Sequence, residues 1–284
     1  GLLQGEADGV FGPQTRDAVL AYQLRAGLPA DGRVSQQSWG RLLENARPPA
    51  IPAALPAWQA ELRPFLARLM APHGPPLGEG TMRWRLDRAG LVVEGEDGPR
   101  RSEPAPRVAA ACWARHRAAL EEAARRFAVP VELLLATACT ESAGRADALR
   151  EEPGFVSDAA TPHRVSPGLM QTLISTAREA LDDPALDRRA LLDPRTSALA
   201  AAALIRRQAI RARVPTGFDP PLTAIAYNAG SLRPTRDATD PWGLVQTRRG
   251  DGERHASAFC RFFNDALLIC ESSTEVPAFR RVLA

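Results

Sequence analysis

The stretch "ELLLATACTESAGR", residues 132–145, decides the fold, because it is an apolar run with helix punctuation at both ends. Pro130 suits a first helical position and Gly144 suits the residue just past a helix end, which predicts a helix from about Pro130 to Ala143. Within it Leu134, Ala138 and Glu141 follow i, i+4, i+7 spacing, so Glu141 falls on the apolar face. A buried, unpaired carboxylate is costly, and Glu141 therefore asks for a reason. Two remain open on this helix alone. Glu141 emerges at a frayed last turn as an ordinary polar residue, or it is an acid whose surroundings matter. A carboxyl partly buried at the negative end of a helix is favoured in its protonated form, the state needed by a general acid.

Composition bounds the rest. The 284 residues are 45% hydrophobic, enough for one sizeable core and a small satellite domain. Net charge is +3 from 36 basic and 33 acidic side chains, which gives no electrostatic case for nucleic acid. The sequence contains no Lys, so every one of those bases is Arg. No run of about 18 apolar residues exists and the first residues lack a basic-then-apolar signal pattern. A soluble chain is expected, with any export signal upstream or absent. Cys112, Cys139, Cys260 and Cys270 are too few for a disulfide scaffold and lack metal-ligand spacing. They read as buried free thiols, and no metal or cofactor is expected.

The first forty-odd residues contain an echo, "ADGVFGPQT" at 7–15 and "ADGRVSQQS" at 30–38, each a turn followed by a helix start. Helices are expected at about 13–25 and 36–44, with apolar faces from Ala18, Val19, Tyr22, Trp39, Leu42 and Leu43. With Asp8, Gly9, Phe11, Gly12, Thr15, "AYQ" at 21–23, "GLPADG" at 27–32 and Trp39, this segment resembles the small three-helix peptidoglycan-binding domain of many cell-wall hydrolases. It departs from that family in having Ser35 where glycine is usual, and only Leu2-Leu3-Gln4 to stand for its first helix. The assignment is 1–46 for this partial domain.

Proline-rich stretches at 47–56, 72–78 and 99–106 mark borders. Between them lie an amphipathic helix, about 57–70, and an alternating segment that turns near 87–90 and reads as a β-hairpin. Residues 47–106 are accordingly a connector, whose hairpin is expected to pack against the domain at 107–284. From about 107 to 266 the pattern is helical, starting with the helix-rich "VAAACWARHRAALEEAARRFA".

Downstream, "SPGLMQTLISTAREAL" at 166–181 reads as a glycine turn into a helix with Gln171 just inside it. "LTAIAYNAGS" at 222–231 is an apolar helix that stops at Gly230, with Tyr227 and Asn228 near its end. Glu-Ser, Gly-Leu-Met-Gln and Ala-Tyr-Asn-Ala-Gly in that order resemble the soluble lytic transglycosylase family, related to goose-type lysozyme and sharing its lysozyme-like helical fold. The resemblance covers about 120–266. The fold class that follows is mainly α, with a lysozyme-like helical catalytic domain, a small helical N-terminal domain and a short β-hairpin between them.

The resemblance implies roles. Glu141 matches the family's single catalytic acid, Tyr227 the tyrosine whose hydroxyl orients it, and Gln171 and Asn228 polar groups lining the sugar subsites. Ser166 and Met170 belong to the same substrate-binding set, although the usual Gly-Ala spacer after the serine is missing here. The implied partners are peptidoglycan glycan strands of alternating N-acetylmuramic acid and N-acetylglucosamine, with no nucleic acid and no membrane span. The implied location is extracytoplasmic, or cytoplasmic before release for a phage endolysin. The implied reaction leaves 1,6-anhydromuramic acid ends. Two alternatives are a hydrolytic muramidase and a non-catalytic peptidoglycan-binding protein. A hydrolase needs a second carboxylate, for which Asp147, Glu151, Glu152 and Asp158 are candidates. His163 and His255 could together serve a metal or a proton shuttle, but read as surface or helix-cap histidines. Cys139, two residues from Glu141, lies on another face and reads as core.

Overall fold

The computed structural model describes residues 2, 11–44 and 57–283. The Asp8-Gly9 turn, Leu3-Gln4 and the proline-rich stretch 47–56 lie outside the described residues, as do the side chains of Leu43 and Glu44.

Two helices, α1 (Pro13–Arg25) and α2 (Gln36–Glu44), form the N-terminal unit. Gln23 organises it. Its amide nitrogen donates to Asp31 Oδ1 (2.9 Å) and the Arg33 carbonyl (2.8 Å), and its oxygen accepts from Gly32 N (2.9 Å). One buried amide thus fixes the turn between the helices. Asp17 pairs with Arg101 of the connector at 2.7 Å and Arg25 donates to the Leu268 carbonyl of the body at 2.8 Å, tying this unit to both.

The connector follows with α3 (Ala57–Met70), β1 (Trp84–Asp87) and β2 (Gly90–Val93). The strands pair antiparallel from Trp84↔Val93 to Asp87↔Gly90, and Trp84, Leu86 and Leu91 are buried. Asn264 seals the hairpin to the body by accepting from Leu91 N (2.7 Å) and donating to Leu91 O (3.1 Å).

The body contains α4 (Arg107–Phe127), α5 (Val131–Ser142), β3 (Leu149–Glu151), β4 (Val165–Pro167), α6 (Ile174–Leu181), α7 (Arg188–Leu192), α8 (Pro194–Ile210), α9 (Pro220–Ala229), α10 (His255–Ile269) and α11 (Phe279–Val282). Strands β3 and β4 pair antiparallel. The fold is mainly α, with two small strand pairs among the described residues. No helix in them is long and apolar enough to cross a membrane.

Helix α5 is the axis of the core. Every one of its residues except Glu141 is buried. The expected apolar face is therefore the whole circumference, as befits a helix enclosed by neighbours on all sides. Leu133, Leu134 and Leu135 are each fully enclosed, and each contributes about 1.5–3 kcal/mol over an exposed position. Its start is held by Glu132, whose oxygens accept from Phe279 N and Arg280 N, both at 3.0 Å, at the head of α11.

One expected helix is shorter than its pattern suggested. Residues 168–171 form a turn, and α6 begins only at Ile174, so Gln171 precedes the helix. Gly168 has φ +83°, and a Cβ there would lie 1.9 Å from the Leu191 carbonyl oxygen. That glycine forces the turn. Helices α7 and α8 had a legible start signal that the hydrophobic pattern did not supply. Asp187 caps Ala190 N at 2.8 Å and Asp193 caps Thr196 N at 2.9 Å, with Pro194 in the first helical position.

Candidate active site

Glu141 leaves the core at the last turn of α5. The helix ends with Ala143 at φ +53° and Gly144 at φ +77°, whose N–H groups return to the carbonyls of Cys139 and Ala138, both at 3.1 Å. A Cβ on Gly144 would stand 2.9 Å from Cys112 Cβ, so close packing of α4 sets this stop. His116 Nε2 holds the Gly144 carbonyl at 3.0 Å from the same helix. Two guanidinium groups then meet the negative end of α5: Arg249 donates to Thr140 O at 2.6 Å and Arg145 to Ser142 O at 3.3 Å. Their acceptors bracket Glu141 in sequence, and the two positive charges complement the helix dipole.

The Glu141 side chain is 17% exposed, and its Oε1 lies 2.9 Å from His255 Nε2. His255 opens α10 and is buried. It is not a surface or capping histidine, because the packing of α10 against α5 carries its ring inward beside the acid. Pattern reading missed it, since nothing local marks an N-terminal helix residue as facing a carboxylate on another helix. His163 is exposed in the 3₁₀ turn Pro162–Arg164 and makes no hydrogen bond or ion pair among the described residues.

The turn at 168–171 forms a second side. Ser142, the neighbour of Glu141, donates from Oγ to Leu169 O at 2.7 Å. Met170 N donates to Ser197 Oγ at 3.0 Å, and Met170 O accepts from the Tyr227 hydroxyl at 2.9 Å. The Met170 side chain is fully buried, which corrects its expected place among the sugar contacts: its contribution is the carbonyl that holds Tyr227. Gln171 adopts φ +50° and donates from Nε2 to Ala148 O (3.1 Å) and Gly168 O (2.9 Å). Ser166 sits buried on β4, in register with Arg150 of β3.

Helix α9 supplies the third side. Its start is anchored where Asp219 accepts from Trp84 Nε1 at 2.9 Å and meets His73 Nε2 at 2.6 Å, so the connector braces the helix that carries Tyr227 and Asn228. Burial weighs against a charged His73, but its contacts with Asp219 outweigh that and raise its pKa. At the other end the Tyr227 hydroxyl meets Thr172 Oγ1 at 2.6 Å as well as Met170 O. Its contacts are on the turn and the residue just after it, and the hydrogen bond to the Glu141 carboxyl comes from His255 instead. Burial first, and the charge of Glu141 second, push the Tyr227 pKa well above the ordinary range. Asn228 Oδ1 accepts from Thr247 N at 2.9 Å, tying α9 to the loop that leads into α10.

Three of the four candidate carboxylates after Gly144 are paired with arginines. Arg188 binds Asp158 with two nitrogens at 2.9 and 2.7 Å and reaches Glu151 at 3.0 Å, and it holds the Asp158 carboxyl below its usual range. Arg150 meets Glu152 at 3.0 Å, and Asp147 is exposed. All four cysteines are free and buried, Cys139 among them.

Residues 118–240 match the family described as the transglycosylase SLT domain, and residues 1–42 match the putative peptidoglycan binding domain. No curated protein and no solved structure matches significantly. The matched SLT segment holds Glu141, Ser166, Met170, Gln171, Tyr227 and Asn228 but stops short of Arg249 and His255. The chain thus carries, in order, a segment that matches the peptidoglycan-binding domain family and a segment that matches the SLT transglycosylase domain family.

Proposed function

We propose that this protein cleaves the β-1,4 bond between N-acetylmuramic acid and N-acetylglucosamine in peptidoglycan without water, leaving 1,6-anhydromuramic acid ends. The observation that carries the reading is that Glu141 is the one residue of α5 that is not buried, while of the four candidate second carboxylates Glu151, Glu152 and Asp158 are engaged by arginines and Asp147 is exposed. Most glycosidases work with two carboxyl groups, and hydrolysis by inversion needs one of them free to activate water. A single carboxyl suffices when the nucleophile belongs to the substrate.

In that scheme protonated Glu141 gives its proton to the glycosidic oxygen as the bond from C1 breaks. The resulting carboxylate then takes the proton of the muramoyl C6 hydroxyl as O6 closes onto C1, which restores the acid. Gln171 and Asn228 keep polar atoms at the margins for sugar contacts: among the described residues, Gln171 Oε1 and Asn228 Nδ2 make no hydrogen bond. Tyr227 and Ser166 complete the wall. The protein acts where glycan strands are, in the periplasm or cell wall, or on them after release in the case of an endolysin.

The test is digestion of purified peptidoglycan followed by mass spectrometry of the fragments. Anhydromuropeptides, lighter by one water than hydrolytic products, are expected. Reducing-end muramic acid would establish a hydrolytic muramidase, and no release at all a binding protein. Glu141→Gln is expected to lower the rate at least about a hundredfold, the lower range for loss of a general acid, with an unchanged fold.

A further inference from the structure

We infer that His255 is a positioning residue that decides which oxygen of Glu141 carries the catalytic proton. The inference rests on Glu141 being the acid, and it concerns a residue beyond the segment matched by the SLT family.

The contact is direct, with Nε2 of His255 2.9 Å from Oε1 of Glu141. The ring is nearly enclosed, at 6% side-chain exposure. Its other nitrogen, Nδ1, is buried and makes no hydrogen bond among the described residues. A proton on Nδ1 would be a buried donor without an acceptor, which is more costly than a bare lone pair in the same place. The remaining charges nearby are engaged. Arg254 is paired with Asp240 at 2.8 Å and Asp237 at 3.2 Å, Glu253 with Arg261 at 3.0 Å, and Arg249 holds Thr140 O at 2.6 Å. The proton that faces Glu141 is therefore the one on Nε2, pointing at Oε1.

A donor fixed on Oε1 leaves Oε2 as the oxygen that bears and returns the proton. Oε1 accepts from Nε2–H in both states of the acid, so the heavy atoms need not move between the two half-reactions. The bond is stronger when Glu141 is a carboxylate, the state that follows proton transfer to the leaving oxygen. His255 thus supports the intermediate more than the starting acid.

The ring is held for this task. His255 N donates to Thr247 O at 3.1 Å and Ala256 N to Gln246 Oε1 at 2.9 Å, while Thr247 N is fixed by Asn228 at 2.9 Å. The first turn of α10 is pinned by the loop before it, and that loop by the end of α9.

The experiment compares His255→Leu, His255→Gln and Glu141→Gln with the wild-type protein on soluble, uncrosslinked glycan strands. It is joined to ¹⁵N NMR of the wild-type imidazoles. Leu removes the donor, and kcat is expected to fall about a hundredfold, as for a misplaced catalytic group, with KM within about twofold. Gln places an amide N–H near Nε2 and is expected to recover at least about tenfold of that loss, since a hydrogen bond to a charged group is worth that much. The NMR is expected to show Nε2 protonated and Nδ1 bare. A folded Leu variant with wild-type kcat, or a proton on Nδ1, would overturn the inference. Should Leu fail to fold, the Gln variant and the wild-type spectrum decide it. Activity surviving in Glu141→Gln would instead refute the assignment of the acid.

Discussion

Ser142 Oγ donates to the Leu169 carbonyl at 2.7 Å, so the residue after Glu141 is fastened to the turn that holds Met170, Gln171 and Thr172. Leu169 is fully buried, and its carbonyl has no water to turn to when the hydroxyl is removed. Ser142→Ala is therefore expected to cost about 1–3 kcal/mol in urea denaturation. Because the same bond sets the distance between acid and turn, the rate on soluble glycan strands is expected to fall about tenfold or more. A destabilised variant that cleaves at the wild-type rate would show that the turn does not position the site.

Glu132, at the opposite end of α5, gives a pH signature. Burial raises its carboxyl pKa to about 7 from 4.5, against the pull of its own and the Phe279 backbone N–H groups. A folded-state pKa above the unfolded value means that the protonated acid favours the fold. That stability is fully present below pH 4.5 and is lost as pH rises through about 7. The loss is on the order of 3 kcal/mol for a shift of this size. Glu132→Gln cannot ionise, so urea midpoints of the wild-type protein should fall across that window relative to the variant. Parallel curves would place the Glu132 ionisation outside the range that matters for folding.

The fold and the site were legible in different measure. Punctuation did most for the elements: Pro13 and Gly12 start α1, Asp87 turns the hairpin by accepting from Ala89 N and Gly90 N, and Gly144 closes α5. Period misled where packing overrides it. Helix α5 reads as one-sided although it is buried all round, because small residues such as Ala136 and Thr140 fill its other faces as well as leucines would. Motif order drew together Glu141, Gln171, Tyr227 and Asn228, but it could not say that Met170 faces inward or that Gln171 sits in a left-handed turn. His255 was illegible for a plainer reason. Its partner is 114 residues away, and only the docking of α10 on α5 brings the two together.

Tyr227 and Thr172 test whether that side of the site acts as a unit. The Tyr227 hydroxyl gives its one proton to Met170 O at 2.9 Å, so Thr172 must be the donor in their 2.6 Å contact. Tyr227→Phe leaves Met170 O and the Thr172 hydroxyl unmatched together, whereas Thr172→Val removes a donor and leaves the Tyr227–Met170 bond in place. The first is expected to cost about 1–3 kcal/mol and the second about 0.5–1.5. The double variant should cost less than the two added, with a coupling of at least about 0.5 kcal/mol in a double-mutant cycle. Activity should follow the same pattern if the network works by holding the turn: kcat falls in both single variants and little further in the double. A hydroxyl that acts on the substrate itself predicts otherwise, with Tyr227→Phe losing far more rate than its stability cost explains and Thr172→Val almost none. Measuring kcat and urea stability on the same four proteins separates the two roles of Tyr227.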